Sequence, residues 1–566
     1  MSSVFVVAVI EKKQAGNFDL SQFRRRFPLT VANLGAMPNR EMWLRRIWEL
    51  DARWSKSQED GSFRAHTEVL FHENAPGNLK IEGEFEIIYA GGGLGLLHAA
   101  VMSKKFNRRV LVFDAHTVGR THRDWNISDE ELSEFVNSGL FTLDEIERAV
   151  VNRYRTGFVK FHDANSRLKT PPLFMEGVLD VAIEADTLLG LAAEKLTQSA
   201  TNSVLLNEHK FIRTFALPDK VLVEVENLKT QERQLFAARL FVDATGTNSP
   251  LSRQINEGKS ITHVCPTVGT VARGFVRGEA RDEVDFGVGE ILVSNEDSAN
   301  DRQLIWEGFA GSRRKDDYTT YLFFYDAIDS PADKSLLNLF EAYFEKLPKY
   351  KRQSAQWRVI KPVFGYIPSF HHHGWNNQKK TSARRVLLVG DAAGLSSPLT
   401  FCGFGSHVRN LQRLTHLTDL ALQEDLLDEK SLGQINAYEP RVAQMSSLAE
   451  FMRPAPKSQS ATVNETMNAV MQALTNLSGD VRRDLFKDRI SFAAFKSLLR
   501  KTAVIHPAVF KRMFEHLGVK NSFWWIANIA ESAVHEKKSK KNQLVKENGA
   551  QDFAHFLEFY TQQSGR

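Results

Sequence analysis

A glycine-rich turn between an apolar strand and a helix is the feature that most constrains the fold of this chain. Residues 84–116 run EFEIIYAGGGLGLLHAAVMSKKFNRRVLVFDAH, which predicts a buried strand over 85–89, a helix from about Leu94 and a second strand over 110–113. Glycines stand at 91, 92, 93 and 95, where a Cβ would collide with a bound phosphate or with the adjoining strand. The pattern predicts a parallel βαβ unit of the Rossmann type.

The turn of this unit predicts where a dinucleotide would bind. The helix N-terminus offers free N–H groups and the positive end of its dipole to phosphates. Asp114 ends the second strand, where an acid accepts the hydroxyls of a ribose. Ala90 occupies the first position of the glycine fingerprint, so this motif alone leaves open a glycine-rich turn without a nucleotide. The predicted contacts are Ala90, Gly91, Gly92, Gly93, Leu94, Gly95 and Asp114.

Two later segments resemble those that complete a flavin site in flavoproteins with two dinucleotide folds. RLFVDATG ends a strand at Asp243, and RRVLLVGDAAG runs from a strand into Asp391, which in such proteins bonds the ribityl chain. The helix after GFG would direct its N-terminus at the flavin ring. The third segment favours FAD over NAD, because a nicotinamide enzyme has no use for it. These segments predict contacts from Asp243, Gly246, Gly390, Asp391, Gly394, Pro398, Gly403, Phe404 and Gly405.

Length and composition set the remaining limits. The 566 residues exceed one compact core, and the 42% hydrophobic and 25% charged residues are ordinary for a globular protein. The absence of a run of 18 uncharged apolar residues predicts no transmembrane helix, and MSSVFVVAVIEKKQ is interpreted as a strand, not a signal peptide. Only Cys265 and Cys402 occur, which favours the cytoplasm, and a net charge of +5 gives no support for nucleic-acid binding.

The order of strand and helix patterns predicts the organisation of the chain. The fold class is α/β, an FAD-binding Rossmann-type (glutathione-reductase-like) fold with an inserted antiparallel β-sheet substrate layer and a helical C-terminal region. The predicted divisions are an N-terminal extension (1–80), a first FAD-binding region (81–200), a β-meander with a second FAD-binding region (201–250), the substrate-layer sheet (251–380), a third FAD-binding region (381–410) and the helical C-terminal region (411–566).

One segment goes beyond the general flavin pattern. Gly119-Arg120, followed by Asp124-Trp125-Asn126-Ile127-Ser128, resembles the signature of the CruA/CruP-type lycopene cyclases, which are FAD-dependent carotenoid cyclases. The motifs over 390–405 and 364–368 are similar to theirs, and that family also lacks the first glycine of the turn. The resemblance covers roughly residues 40–520, and Cys402 departs from it, since glycine is expected there.

The resemblance implies ring closure at one end of a linear C40 polyene, an isomerisation without net redox change. In this class an acid protonates a terminal double bond, the carbocation closes onto the next alkene, and a base removes a proton. Reduced flavin is held to stabilise the cation, which is otherwise costly in an apolar tunnel. Arg120, Asp124, Trp125 and Asn126 follow the second strand, and this position predicts that they contact the adenosine end or close over the flavin. The alternative is a helix-capping loop in which Asn126 and Ser128 satisfy backbone donors.

The catalytic acid should be a carboxyl group that an apolar setting keeps partly neutral. Glu307 lies in LIWEGF and Asp326 in LFFYD, each a single acid within an aromatic strand. The alternative for both is a side chain that points outward or ends its strand in solvent. Glu176, after PPLFM, is a third candidate.

Other side chains leave further alternatives open. Three adjacent histidines, 371–373, cannot converge on one ion from a strand, so no metal site is predicted. Phe523-Trp524-Trp525-Ile526, beside the basic residues 537–541, predicts either core packing or peripheral contact with a bilayer. The rival functions are a flavin-dependent mono- or dioxygenase acting on an apolar substrate and an FAD-binding carrier or regulator without catalysis.

Overall fold

The structure is a computed structural model that describes residues 20–59, 67–72, 80–312, 314, 316–370, 379–394, 399–400, 403–435, 448–455 and 458–545. The helices are α1 (Leu20–Arg26), α2 (Pro28–Leu34), α3 (Arg40–Glu59), α4 (Leu94–Phe106), α5 (Asp129–Asn137), α6 (Leu143–Glu147), α7 (Ala185–Thr197), α8 (Pro250–Ile255), α9 (Leu336–Tyr350), α10 (Gly403–Gln423), α11 (Glu429–Ile435), α12 (Thr462–Thr475), α13 (Gly479–Phe486), α14 (Phe492–Ile505) and α15 (Ala508–Val545). Two 3₁₀ turns span Gly390–Ala392 and Ala449–Met452.

The strands follow in chain order. They are β1 (Leu70–Phe71), β2 (Ile81–Ala90), β3 (Val110–Asp114), β4 (Trp125–Ile127), β5 (Val150–Arg153), β6 (Thr156–Lys160), β7 (Leu173–Met175), β8 (Val181–Ile183), β9 (Val204–Asn207), β10 (His209–Ala216), β11 (Val221–Asn227), β12 (Arg233–Asp243), β13 (His263–Phe275), β14 (Val288–Val293), β15 (Ile305–Ala310), β16 (Asp317–Phe323), β17 (Asp326–Ala327), β18 (Gln353–Ser369), β19 (Ser382–Ala383) and β20 (Val386–Leu388).

The first sheet contains the predicted βαβ unit. Strands β9, β3, β2 and β12 lie side by side and run parallel, and β20 is bonded in parallel to the last three residues of β12. The antiparallel meander of β10, β11 and β12 continues the sheet to β1. Toward their carboxyl ends, β2, β3 and β12 are mainly apolar and buried, as expected for a sheet covered on both faces.

The second sheet is the predicted inserted layer. Its order is β17-β13-β16-β15-β14-β6-β7, with β18 also paired to β13, and all of its pairings are antiparallel except that of β14 with β6. Helix α9 and the N-terminal helices pack on one face. The C-terminal helices pack on the other face, which carries Ile305 and Phe309 of β15. The layer is therefore buried between the two ends of the chain.

The structure differs from the sequence expectations in three places. Residues 203–217 form two strands rather than one, because the chain turns at Glu208, whose φ is +58°, and β9 pairs with β3 instead of joining the meander. Strand β18 spans 17 residues, of which only 364–368 were singled out. Strand β1, within the predicted extension, belongs to the first sheet. The N-terminal strand prediction concerns residues 1–14, which lie outside the described residues.

Candidate functional site

Four strand ends meet in register at one edge of the first sheet. Backbone pairing places Ala90 of β2 opposite Phe113 of β3 and Asp243 of β12, and Asp243 in turn opposite Leu388 of β20. Each strand is followed by one of the three predicted flavin segments or by Asp114 itself. The carboxyl edge of a parallel sheet is where such folds bind ligands. The structure thus brings together three segments that are widely separated in the sequence.

The glycine turn is required mainly by close approach of the chain to itself. Gly91 has a φ of +111°, and a Cβ there would collide with the carbonyl oxygen of Ala244. A Cβ on Gly92 would lie 2.8 Å from Cα of Val118, and one on Gly95 would lie 2.5 Å from the Cβ of Ala244. Gly93 instead faces open space, and as the N-cap of α4 it provides no side-chain cap. The helix N-terminus beside Gly93 is therefore the place where a phosphate fits.

Two of the predicted aspartates stabilise the loops on which they lie. The carboxylate of Asp114 accepts hydrogen bonds from the backbone N–H groups of Gly92 and His116, both at 2.7 Å. Asp243 is 1% exposed and accepts hydrogen bonds from Thr245 and Ser249 in the loop after β12. The structure therefore places Asp243 inside its own loop, away from the open space that lies beside Gly246 at the end of that loop.

Asp391 is the aspartate with free hydrogen-bonding capacity. It lies in the 3₁₀ turn that begins at Gly390, where φ is +59°, and its side chain is one-third exposed. No described residue donates a hydrogen bond to it, and the nearest charged group is the Arg123 guanidinium, with Nη1 at 4.0 Å from Oδ2. Burial raises the pKa of Asp391, although Arg123 and Lys379 oppose the shift. The carboxylate is thus open to a hydroxyl donor from a ligand.

Three cations beside the strand ends were missed by the sequence prediction. Lys379 lies next to Gly394, its Nζ is 3.4 Å from the carbonyl oxygen of Ala392, and burial lowers its pKa to about 7. Arg46 of α3 interacts electrostatically with Asp114. Arg123 belongs to the segment from which Arg120 was chosen, but Arg120 is two-thirds exposed and 3.7 Å from Asp186. Only Arg123 had a sequence signal, its position in that segment.

The Trp125 segment packs on the helix that follows the third motif. The rings of Trp125 and Phe404 stack with centroids 4.3 Å apart, and Gly403 is the first residue of that helix, α10. A Cβ on Gly405 would lie 2.6 Å from a carboxyl oxygen of Glu131. Ser128 and Glu131 form a reciprocal capping box at α5, as the helix-capping alternative requires of Ser128. The predictions for Pro398, Cys402 and histidines 371–373 lie outside the described residues.

Glu307 is buried in the substrate layer beside Asn126. Its side chain is 3% exposed, and Nδ2 of Asn126 lies 3.4 Å from its Oε1. Burial raises the pKa of Glu307 to about 8, opposed by the Asn126 contact. Oδ1 of Asn126 is buried and has no partner among the described residues. With the side-chain amide rotated by 180°, this oxygen would accept a hydrogen bond from the protonated Glu307 carboxyl group. Tyr154 and Tyr321 lie within electrostatic range of this carboxyl group. Glu307 has the character of a neutral acid.

The other two acid candidates do not have the apolar setting expected of them. Asp326 is buried, but it pairs with Lys334 at 2.9 Å and accepts hydrogen bonds from Ala327 N–H and the Ser330 hydroxyl. A cation and two hydrogen-bond donors therefore lie beside Asp326, in place of the apolar setting that the sequence predicted. Glu176 follows β7 and is exposed to solvent.

Comparisons with known proteins find the fold but no family. No protein-family description matches the sequence, and no curated protein matches it. Solved structures do match: a geranylgeranyl bacteriochlorophyll reductase-like protein from Thermoplasma acidophilum, at a TM-score of 0.52 and 13% identity over 76% of this chain and 98% of that chain. A second is p-nitrophenol 4-monooxygenase PnpA from Pseudomonas putida DLL-E4, at a TM-score of 0.50 and 15% identity over 74% of this chain and 99% of that chain. A third is a flavoprotein/dehydrogenase from Cytophaga hutchinsonii, at a TM-score of 0.50 and 11% identity over 75% of this chain and 100% of that chain.

At these identities the likeness shows the fold. It confirms the predicted α/β class, an FAD-binding Rossmann-type fold with an inserted antiparallel sheet and a helical C-terminal region. None of these three proteins is a lycopene cyclase by name, so the resemblance to that family stays a prediction. Within the described residues of the chain, no helix combines the length and the apolar character needed to cross a bilayer.

Proposed function

We propose that the protein binds FAD at the carboxyl edge of its first sheet and is a flavin-dependent oxidoreductase that acts on an apolar substrate. The observation that carries the proposal is that three strand ends lie side by side in register, at Ala90, Asp243 and Leu388. The open side of Gly93 suits a pyrophosphate, and the carboxylate of Asp391, to which no described residue donates a hydrogen bond, suits a ribityl hydroxyl. The residues present therefore fit the dinucleotide.

Bound FAD would supply hydride or electron transfer, and with O₂ it could support oxygenation. The chain's own role is to hold the dinucleotide and to exclude water from the substrate layer. Arg123 and Lys379 add positive charge beside Asp391. Positive charge there favours a phosphate-bearing ligand and stabilises negative charge on the ring of that ligand. The oxidoreductase class is supported by the three proteins of similar fold, which are named as a reductase-like protein, a monooxygenase and a dehydrogenase.

The second candidate is a cyclase of a linear carotenoid end group, and Glu307 is the observation that favours it. A buried carboxyl group with a pKa of about 8 holds its proton at neutral pH and can donate it to an alkene. The segment that resembles the lycopene cyclases includes Asn126, which contacts this acid. Tyr154 and Tyr321, which lie within electrostatic range of Glu307, would supply aromatic rings to stabilise a developing cation.

Flavin analysis of the purified protein tests the cofactor. We expect FAD at about one equivalent, released by heat and identified by chromatography; a colourless protein that takes up no added FAD would refute the proposal.

Two activity measurements then separate the candidates. Sustained NAD(P)H oxidation with O₂ uptake, stimulated by an apolar substrate, supports the oxidoreductase. Cyclised pigment in a lycopene-accumulating host, without such oxidation, supports the cyclase. The carrier or regulator is supported if the protein binds FAD but shows neither NAD(P)H oxidation nor cyclised pigment. Glu307→Gln should then be indistinguishable from wild type in both assays.

A further inference from the structure

Exposed apolar side chains are concentrated at the C-terminal end of the described chain. Thirteen large hydrophobic residues are exposed among those described, and seven of them are scattered along residues 29–360. The other six lie within residues 504–526, and three of these six are phenylalanines. These six, between 43% and 76% exposed, are called the apolar face: Val504, Phe510, Phe514, Val519, Phe523 and Ile526. Such a concentration on a globular protein marks an interaction site.

Five of the six residues of the apolar face lie on the side of α15 that points away from the core, and Val504 lies near the end of α14. Helix α15 bends at Gly518, where φ is 70° and ψ is 167°. After the bend, Trp525 is 6% exposed and packs in the core, whereas Phe523 and Ile526 point outward. Before the bend, Met513 packs inward. The 523–526 cluster is thus divided between core and surface, and both sides of the helix are apolar, which is not typical of a helix that faces only water.

Positive charge surrounds the apolar face. Residues 496–526 contain six Lys or Arg and one Glu, a net charge of +5, which equals the net charge of the whole chain. Lys511 is four-fifths exposed beside Phe510 and Phe514, and Lys520 is exposed beside Val519. Apolar aromatics bordered by lysines fit a bilayer with anionic headgroups, where the rings enter the acyl boundary and the lysines contact the headgroups.

An apolar pocket opens beside the same face. Its walls come mainly from α12, α14 and α15 and include Met471, Phe495 and Trp525, and Phe510 stands at its exposed margin. The cavity has a volume of about 110 Å³. Leu399, next to the third flavin segment, lines the pocket too. A pocket with these walls would take a hydrocarbon chain and not a water-soluble ligand.

We propose that the apolar face docks on a lipid bilayer that contains anionic headgroups, with the pocket opening toward the hydrocarbon. Docking would bring the pocket to the phase in which long apolar molecules dissolve. It would also deliver the apolar substrate of the proposed function, although docking itself requires neither flavin nor turnover. A bilayer of phosphatidylcholine and phosphatidylglycerol in equal amounts is the probe.

Vesicle co-sedimentation of the full chain tests the docking. We expect binding to the mixed vesicles, weaker binding to pure phosphatidylcholine, and loss with rising salt. The triple variant Phe510→Ser, Phe514→Ser, Phe523→Ser should bind at least about tenfold more weakly. Lys511→Glu with Lys520→Glu should abolish the preference for phosphatidylglycerol. Phe174→Ser is the matched control, because Phe174 is 53% exposed but lies on β7, and it should bind as wild type does.

Three outcomes would overturn the proposal. One is a wild-type protein that sediments with neither vesicle, and another is a triple variant that stays folded by circular dichroism and binds as wild type does. The third is a wild-type dimer in sedimentation velocity that the triple variant converts to monomer without any vesicle binding, since the face would then be covered by a second copy of the chain. Flavin content is measured on the same samples, so failure of docking and failure of the proposed function remain distinguishable.

Discussion

The side-chain amide of Asn126 lies 3.4 Å from a carboxyl oxygen of Glu307, although 181 residues separate them in the chain. Asn126 belongs to β4, in a three-stranded sheet beside the dinucleotide unit, and Glu307 belongs to β15 of the substrate layer. A residue predicted to contact the cofactor therefore contacts the predicted acid. This contact links the segment after β3 to the chemistry of the second sheet, and the predictions below follow from it and from the strand-end cluster.

Replacing the acid should stop turnover without releasing the cofactor. Glu307→Gln keeps the shape and the Asn126 contact but removes the transferable proton. We expect the rate to fall by roughly 100-fold or more, the usual contribution of general acid catalysis, with FAD affinity unchanged. Turnover and flavin content are measured on the same preparation. A variant with full activity would exclude Glu307 as the acid.

The stability of the folded chain should depend on the proton of Glu307. Its pKa is about 8 in the fold against 4.5 as the unperturbed value, so the folded state binds the proton more tightly. The group's favourable contribution is complete below pH 4.5 and is lost as pH rises through 8. Relative to Glu307→Gln, wild type should lose about 1.4 kcal/mol of unfolding free energy per pH unit in this window. Urea unfolding of both proteins at several pH values gives the difference, and parallel curves would contradict the shifted pKa.

The role of Asn126 separates the sequence interpretation from the structure. Asn126→Ala removes the amide that faces Glu307, which should raise the pKa of the acid further, because this contact opposes the effect of burial. We expect the alkaline limb of the pH–rate profile to shift to higher pH, with FAD affinity within about twofold of wild type. A large loss of FAD affinity with an unchanged profile would support the direct cofactor contact instead.

Flavin affinity should depend on Asp391 more than on other surface carboxylates. Asp391→Ala removes an acceptor that no described residue uses, so the fold should be unaffected. A lost hydrogen bond to a charged acceptor is worth about 1.5–3 kcal/mol, hence FAD affinity should fall by roughly 10- to 150-fold. Fluorescence titration of the flavin-free protein measures it. The control is Asp316→Ala, whose carboxylate is half exposed just before β16 of the second sheet, and it should bind FAD normally.

Asp326 should prove structural. In Asp326→Asn the buried Lys334 ammonium loses its counter-charge, which costs about 3–5 kcal/mol of unfolding free energy. Activity per folded molecule should remain close to that of wild type. Asp316→Asn, which weakens an exposed pair with Arg273, should change stability by less than about 1 kcal/mol. Normal stability with lost activity at Asp326 would restore it as a catalytic candidate.

Local pattern in the sequence was sufficient for the secondary structure around the strand ends. The glycines at 91–95 and the apolar runs on either side predict strand, turn and helix, because tight turns and buried strands impose residue types at short range. Glu307 could also be singled out, since one acid within an aromatic strand is uncommon. The Ser128 capping box is visible because its partner is only three residues away.

What the sequence could not give depends on distant partners. Asp326 and Glu307 look alike in sequence, as acids in aromatic strands, yet Lys334 lies beside one and apolar burial surrounds the other. Lys379 reaches the third flavin segment, with Nζ 3.4 Å from the carbonyl oxygen of Ala392, a contact that carries no local signature. Sequence therefore determined which segments form each element, through sterics and periodicity. Tertiary packing alone decided which of these acids has a cation beside it and which is buried without one, because the local sequence pattern does not specify the neighbours of a buried side chain.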